Sequence, residues 1–398
     1  MITSKFSILT KRYFRWILIS AACGFLAGLS STIFLITLNW ATQTRNASPA
    51  VIWGLPIAGL LIGWLYHRFG KEASKGNNLI IDEMHDPKKV LPLNMAPLVL
   101  GGTLLTHLFG GSAGREGTAV QMGASLSDQL SRFFKIEMSE RKILLAAGAG
   151  AGFGAAIGTP WAGVIFGMEM INVGKFKLFA WFECLIASFV GFGTAILLHA
   201  PHSAFPSVEI DSFNFIILLW ICIAGIGFGL TARLFTLFTH FIEWLNQKFI
   251  PYPPLRPFFG GLIIVVLYYF EGSYRYVGLG IPVISDALTS PDSIRDPILK
   301  SIFTMLTVGS GFKGGEFIPL VFIGTTLGSA LSVLLPVSVG LLSAVGFAAV
   351  FAGAANTPIA CTVMAIEIFG IEIAPYALIA CIASYMCSGR KGIYRSQK

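Results

Sequence analysis

Three short motifs occur twice in this chain, in the same order and at nearly the same separation. No other feature of the sequence limits the fold so strongly. KGNNLII (residues 75–81) is answered by VGLGIPV (277–283), setting Gly76 against Gly278 at an offset of 202. GGSAGREG is answered by SGFKGGEF, setting Glu116 against Glu316 at an offset of 200. TPWAGVIFGME (159–169) is answered by TPIACTVMAIE (357–367), with Thr-Pro, Ala and Glu all in register at an offset of 198. Three ordered matches imply two related halves, about residues 15–200 and 212–388, which are expected to form one integrated domain over 1–398.

What surrounds the motifs is apolar. Only 12% of the 398 residues are charged and 55% are hydrophobic, less charge than a soluble protein of this size carries. Residues 16–40, 51–66, 215–231 and 262–270 are apolar nearly all round, as helices facing lipid or other helices must be. The chain therefore reads as an all-α polytopic membrane protein. Its 44 glycines let helices approach closely and let backbone turn at depth where it lines a cavity, which favours a transporter or channel over an anchor. The net charge of +8 reads as basic cytoplasmic loops, with no nucleic acid implied. Cys23, Cys184, Cys222, Cys361, Cys381 and Cys387 stand singly in apolar stretches without a CxxC pair, and read as reduced packing residues.

Charge also gives orientation. Lys5, Lys11, Arg12 and Arg15 precede the first apolar run, which is long, lacks a small-x-small cleavage site and reads as a retained first helix. Arg390, Lys391, Arg395 and Lys398 close the chain, so both termini are expected to be cytoplasmic in a cell-membrane protein. No lysine or arginine occurs from residue 178 to 232, so the polar connection at 199–211 is expected outside. A second half that begins outside, after a first that began inside, gives halves of opposite topology. The closing GRKGIYRSQK leaves no expectation of a soluble regulatory domain.

GNNL, GREGT and GGEF each precede an apolar run, so each is expected to open a helix. Free N–H groups and positive dipole ends could then converge on one anion without lining its site with full cationic charges. That suits an ion that must also leave. Glu116 in such a loop is distinctive, since its carboxylate is itself an anion and can occupy a site prepared for one. Protonated, it loses that attraction and swings away, so anion and proton compete. The other reading of Glu116 is a structural carboxylate paired with Arg115.

GREGTAVQ, the GGEFIP loop, the two TP-x-A-x6-E helices and the terminal tyrosine together resemble the CLC family of anion channels and proton-coupled anion transporters, over nearly the whole chain. The resemblance implies the CLC fold, with two inverted-topology repeats and broken re-entrant helices, and a homodimer with one anion pathway per subunit. It implies that Glu116 is the gating and proton-coupling glutamate. The backbone at Glu316, Phe317 and Ile318 would face the central anion, and Tyr394 would direct its hydroxyl there from the inner side. Gly76, Asn77, Asn78, Gly114, Arg115, Gly117 and Thr118 complete the anion-binding candidates.

Departures from the family pattern are informative. Where chloride-handling members typically read GSGIP, this chain has Gly76-Asn77-Asn78-Leu79-Ile80, so Asn77 replaces a chloride-coordinating serine. Thr118 replaces the proline of GREGP, and Glu316 an apolar residue of GGxFxP. These changes resemble the fluoride-exporting branch, and an amide donor suits a small, strongly hydrated anion. Met170 stands at the position of a second, proton-transferring glutamate of many chloride/proton exchangers, a change usual in the fluoride branch. Glu316 is then either a second proton or anion relay or a structural carboxylate satisfied by backbone amides.

Glu169 and Glu367 read as structural, near helix ends. Asp82, Glu83, His85 and Asp86 are expected to face solvent at the inner surface. His199 and His202 lack a third ligand and no HExxH occurs, so no metal is expected. The 33 phenylalanines read as lipid-facing and packing surface; one at a pore could meet fluoride edge-on, but the sequence does not say which. The expected function is fluoride export in exchange for protons, with fluoride, protons and lipid as partners and no cofactor or nucleotide. A chloride channel or chloride/proton exchanger is the alternative. A membrane-embedded enzyme is a third reading, for which no nucleophile with its base and no metal triad is found.

Overall fold

The computed structural model describes residues 2–209 and 214–398, with side chains from Tyr13 onward. The basic side chains of Lys5, Lys11 and Arg12, the end of the outer connection at Ile210 and Asp211, and positions 212–213 lie outside the described residues. Sixteen α-helices and no strands are found among them.

Each half contributes eight. The first runs through α1 (Ile2–Ala47), α2 (Leu55–Phe69), α3 (Asn77–His85), α4 (Met95–Leu108), α5 (Glu116–Phe133), α6 (Arg141–Ile157), α7 (Pro160–Glu169) and α8 (Trp181–Leu197). The second runs through α9 (Phe215–Phe249), α10 (Leu255–Glu271), α11 (Ile281–Ala287), α12 (Arg295–Gly309), α13 (Phe317–Leu331), α14 (Val339–Ala355), α15 (Pro358–Phe369) and α16 (Ala374–Ser388). Packing repeats as well: α5 on α6 corresponds to α13 on α14, and α1 on α8 to α9 on α16. Between the halves, the substantial contacts join a helix to its own counterpart, α2 to α10, α5 to α13 and α7 to α15. That is the signature of a two-fold axis running between them.

Four helical stretches are long and apolar enough to cross a bilayer: Tyr13–Ala47, Pro49–Phe69, Phe215–Phe249 and Ile371–Ser388. Met95–Leu108, Trp181–Leu197, Phe317–Leu331, Val339–Ala355 and Pro358–Phe369 are apolar but shorter. Of these, α13 begins at the buried Phe317 and α14 ends at the buried Ala355, so these ends fall inside the protein. Broken helices of this kind are tolerated at membrane depth only where they are buried or line a cavity.

The centre is occupied by α6 and α14, whose sequences AAGAGAGFGAAI and SAVGFAAVFAGAA are small-residue runs buried on every side. A Cβ on Gly123 of α5 would come within 2.3 Å of the Gly148 carbonyl oxygen on α6. At the equivalent crossing, a Cβ on Gly324 of α13 would come within 2.0 Å of the Gly346 oxygen on α14. Glycine is therefore what lets these helices meet backbone to backbone, the contact that substitutes for a hydrophobic driving force in lipid.

Glu169 and Glu367 are structural, each capping the helix of the opposite half, its carboxylate accepting N–H groups from the first turn of α15 or α7. One expectation about side chains turns out differently. Glu83 does not face solvent. It is buried and accepts from Arg141 Nη1 at 3.2 Å, while Arg141, fully buried on α6, makes a bidentate pair with Asp128 of α5 at 2.9 and 2.8 Å. Glu83 also accepts the backbone N–H groups of Lys88 and Lys89, so a loop folded over the end of α3 removes it from water. Asp82 and His85 are half-buried and Asp86 is exposed. In the outer connection, His202 Nε2 sits 2.8 Å from the Ala155 carbonyl at the end of α6. No cluster suited to a metal occurs among the described residues, and the six cysteines are free thiols.

Candidate anion site at the converging helix ends

All three glycine-rich turns open helices, at Asn77, Glu116 and Phe317. The turn before α3 relies on Gly76, whose φ of +58° belongs to the region where a side chain is strained. The loops before α5 and α13 meet as an antiparallel pair, in which the Gly114 N–H donates to the Gly315 oxygen at 2.6 Å and the Gly315 N–H to the Gly114 oxygen at 2.9 Å. A Cβ on Gly315 would lie 2.7 Å from the Gly117 nitrogen. These two halves of the site thus depend on glycine at their point of contact.

Around that contact the named residues take distinct positions. Glu116 is 1% exposed; its Oε1 accepts from Arg115 Nε at 3.1 Å and its Oε2 from the Arg115 backbone N–H at 3.2 Å. Among the described residues, only Arg115 and the glutamate's own amide donate to it. The Asn77 amide nitrogen lies 3.5 Å from where a Cβ on Gly117 would be, so this amide abuts the residue that follows the glutamate. Asn77 is 8% exposed, its Oδ1 has no hydrogen-bond partner, and its side chain faces the Tyr394 hydroxyl. Tyr394 is buried and lies within electrostatic reach of both Glu116 and Glu316. Gly114 sits beside the Ile318 nitrogen, and the Phe317 and Ile318 amides belong to the first turn of α13, whose N–H groups have no partner within the helix.

Two candidates point elsewhere. Thr118 shares a hydrogen bond of 2.7 Å with the Thr103 hydroxyl on α4. Asn78 accepts from the Ser396 N–H at 3.1 Å, fastening the C-terminal segment that carries Tyr394. Gln397 completes this fastening, donating to the Met170 and Ala355 carbonyls at 3.0 and 2.8 Å and accepting from Asn356 at 2.9 Å.

A cavity of about 530 Å³ reaches the site from the side of the C-terminal segment. Gly76, Asn77, Asn78, Glu316 and Tyr394 line it; Glu116 does not, lying beyond the closure made by Asn77, Gly117 and Gly315. Glu316 is half-buried and takes a hydrogen bond from its own backbone amide. Among the described residues, its own amide is the one backbone donor to the Glu316 carboxylate.

Other residues of the site carried no signal in the sequence. Phe317 meets the rings of Phe153 and Phe351 edge-on, with centroids 5.5 and 4.7 Å apart, and Phe166 stacks on Phe153 at 4.0 Å. This names the phenylalanines that crowd the site, drawn from α6, α7, α13 and α14. Gln121 on α5 borders Gly76, and Lys313, inside a motif already picked out, reaches the cavity wall with its ammonium 4.1 Å from the centre of the Tyr66 ring.

A sequence profile described as voltage gated chloride channel matches residues 58–389. The chain belongs to this CLC family. It is 47% identical over 390 residues to a "Chloride/fluoride channel protein" of Pseudomonas syringae pv. tomato, covering 96% of this chain and 86% of that one. It is 27% identical to an "H(+)/Cl(-) exchange transporter ClcA" of Vibrio parahaemolyticus, covering 89% of this chain and 82% of that one. Its fold matches a crystal structure described as a CLC-type fluoride/proton antiporter with a TM-score of 0.93 and 33% identity, over 97% of this chain and 98% of the other. A slow cyanobacterial Cl-/H+ antiporter shares the fold with a TM-score of 0.83 at 22% identity, over 96% of each chain. CLC members are transporters or channels, and the fold is the expected one of two inverted repeats with broken helices.

The enzyme reading has one formal point in its favour, since residues 110–114, GGSAG, fit the G-x-S-x-G pattern of a nucleophile elbow. In this CLC fold Ser112 is buried and its hydroxyl is 2.9 Å from that of Thr304, while its N–H donates to the Thr307 hydroxyl at 3.1 Å. Such a serine ties α12 to the loop before α5 and is not offered to a substrate.

Proposed function

We propose that this chain exports fluoride across the cell membrane in exchange for protons, as a homodimer with one pathway per subunit and both termini cytoplasmic. The observation that carries the reading is Asn77, whose amide nitrogen lies beside Gly117, the residue after Glu116, while its side chain lines the cavity and meets the Tyr394 hydroxyl. An amide N–H makes a stronger hydrogen bond to a small hard anion than to a larger one, and stripping a tightly hydrated ion of its water requires such donors. The likeness to a fluoride/proton antiporter and to a chloride/fluoride channel protein supports the same ion.

Glu116 serves as gate and proton carrier. Among the described residues its carboxylate is anchored only by Arg115 and its own amide, so it can swing without breaking a tertiary contact. Charged, it occupies the amides at the start of α5 and closes the path; protonated, it yields them to the anion. Phe317 and Ile318 contribute first-turn amides from α13, Gly76, Gly114 and Gly117 allow backbone to approach, and Tyr394 supplies a hydroxyl from the inner side. Thr118 and Asn78 hold these elements in place. The whole chain acts as one membrane domain, and proton influx is the driving force.

Purified protein in liposomes tests this directly. An imposed fluoride gradient is expected to drive protons the opposite way, with chloride a poor substitute. Chloride moving as readily as fluoride, with no proton movement, would overturn the proposal in favour of a chloride channel.

A further inference from the structure

Protons that leave Glu116 for the inner side must cross the cavity, and its walls hold several titratable groups. Glu243 on α9 is 41% exposed; its carboxylate accepts from Arg395 Nη2 at 2.5 Å and from Gln247 Nε2 at 3.2 Å. Deeper in, Glu316 lies within electrostatic reach of Glu243 and of Lys313, and Lys313 within reach of both glutamates. Tyr394, beyond them, lies within reach of both Glu316 and Glu116. The remaining charged groups stand towards the rim: His240, one turn before Glu243, lies near Arg395 and Lys391, Lys75 and Asp82 pair with each other at 3.6 Å, and Arg256 bonds the Ile250 carbonyl.

Of the acidic groups among these, Glu243 alone is both open to solvent and coupled to the inner glutamate. We propose that Glu243 is the proton relay between the inner solution and Glu316, an inference that rests on the fluoride/proton exchange reading above. When a proton leaves, the O–H bond of the Glu316 carboxylic acid breaks and one forms on the Glu243 carboxylate, across cavity water. Glu243 then releases the proton to bulk water and regains its pairing with Arg395. A cavity of about 530 Å³ with polar walls has room for such waters. Lys313 between the two carboxylates keeps both charged forms tolerable during the passage.

Glu243→Gln tests the idea, because the amide oxygen can still accept from Arg395 and Gln247 while the side chain can no longer carry a proton. In liposomes, fluoride-driven proton movement is expected to slow about tenfold, with Glu243→Asp recovering part of the rate. Binding of sodium fluoride to the detergent-purified protein, followed by calorimetry, is expected to stay within about twofold. An unchanged rate in Glu243→Gln would overturn the relay. If the unaltered protein moves no protons against fluoride, the exchange reading and the relay fall together. Coupled wild-type exchange with an indifferent Glu243→Gln removes the relay alone.

Discussion

The carboxylate of Glu367 accepts the backbone N–H of Ala162 at 2.8 Å, across the boundary between the two halves of the chain. Its mirror is the bond from Ala360 to Glu169 at 2.7 Å. Each glutamate lies near the C-terminal end of its own helix, where the dipole disfavours a negative charge, and gains instead from the N-terminus of the opposite one. Each accepts two such bonds, the second from Trp161 or Ile359. Glu169→Ala or Glu367→Ala strands one buried donor, at Ala360 or Ala162, beside a less buried one, and is expected to cost about 1–2 kcal/mol. Thermal unfolding in detergent reads this as a lowered midpoint, and the double variant is expected to fall short of the sum because α7 and α15 pack against each other.

Glu116→Gln keeps the size of the side chain and removes its charge and proton chemistry. Fluoride-coupled proton movement is expected to fall to background in liposomes, while the protein folds and, with the competing carboxylate gone, binds fluoride at least as tightly. Full coupled activity in this variant would remove Glu116 from the mechanism.

Asn77→Ser replaces the amide by a hydroxyl at the same helix start. The ratio of fluoride to chloride transport is expected to drop about tenfold, the equivalent of roughly one hydrogen bond's difference between the two ions. Parallel flux measurements with the two anions check this, and an unchanged ratio would shift selectivity to other groups.

Asp128→Ala leaves Arg141 fully buried with part of its charge uncompensated. Breaking a buried pair in this way costs about 3–5 kcal/mol. Expression and unfolding temperature are expected to suffer far more than in Lys89→Ala, whose ammonium forms an exposed pair with Glu72.

Gly315→Ala puts a methyl group 2.7 Å from the Gly117 nitrogen, in a place where only backbone surrounds it. The loops before α5 and α13 must separate to admit it, so transport is expected to fall by at least tenfold even where folding survives. Wild-type flux in this variant would show that the contact is dispensable.

Much of this arrangement was legible in the residues because the motifs sit where backbone does the chemistry. Gly76, Gly114 and Gly315 mark turns that only glycine can make or pack, and Asn77, Glu116 and Phe317 follow them at the first turns of helices. Glu83 was misjudged because its neighbours in sequence are polar, whereas its partner Arg141 lies 58 residues away and enters from α6. Glu243 was invisible for a similar reason: in sequence it is one charge at the end of a long apolar helix, and only the return of the C-terminal segment brings Arg395 to it. The aromatic cluster around Phe317 draws on four helices, and no local pattern among the 33 phenylalanines distinguishes its members.

The pairing of each helix with its own counterpart also bears on how such a chain could arise. An interface in which α2 meets α10, α5 meets α13 and α7 meets α15 is self-complementary in the sense used for symmetric dimers. A half-length ancestor inserted in both orientations would make every one of these contacts twice, once from each side, with no new surface to invent. The asymmetry that now matters, a gating carboxylate from one half and a cavity carboxylate from the other, would need only the divergence of residues already facing each other across that axis.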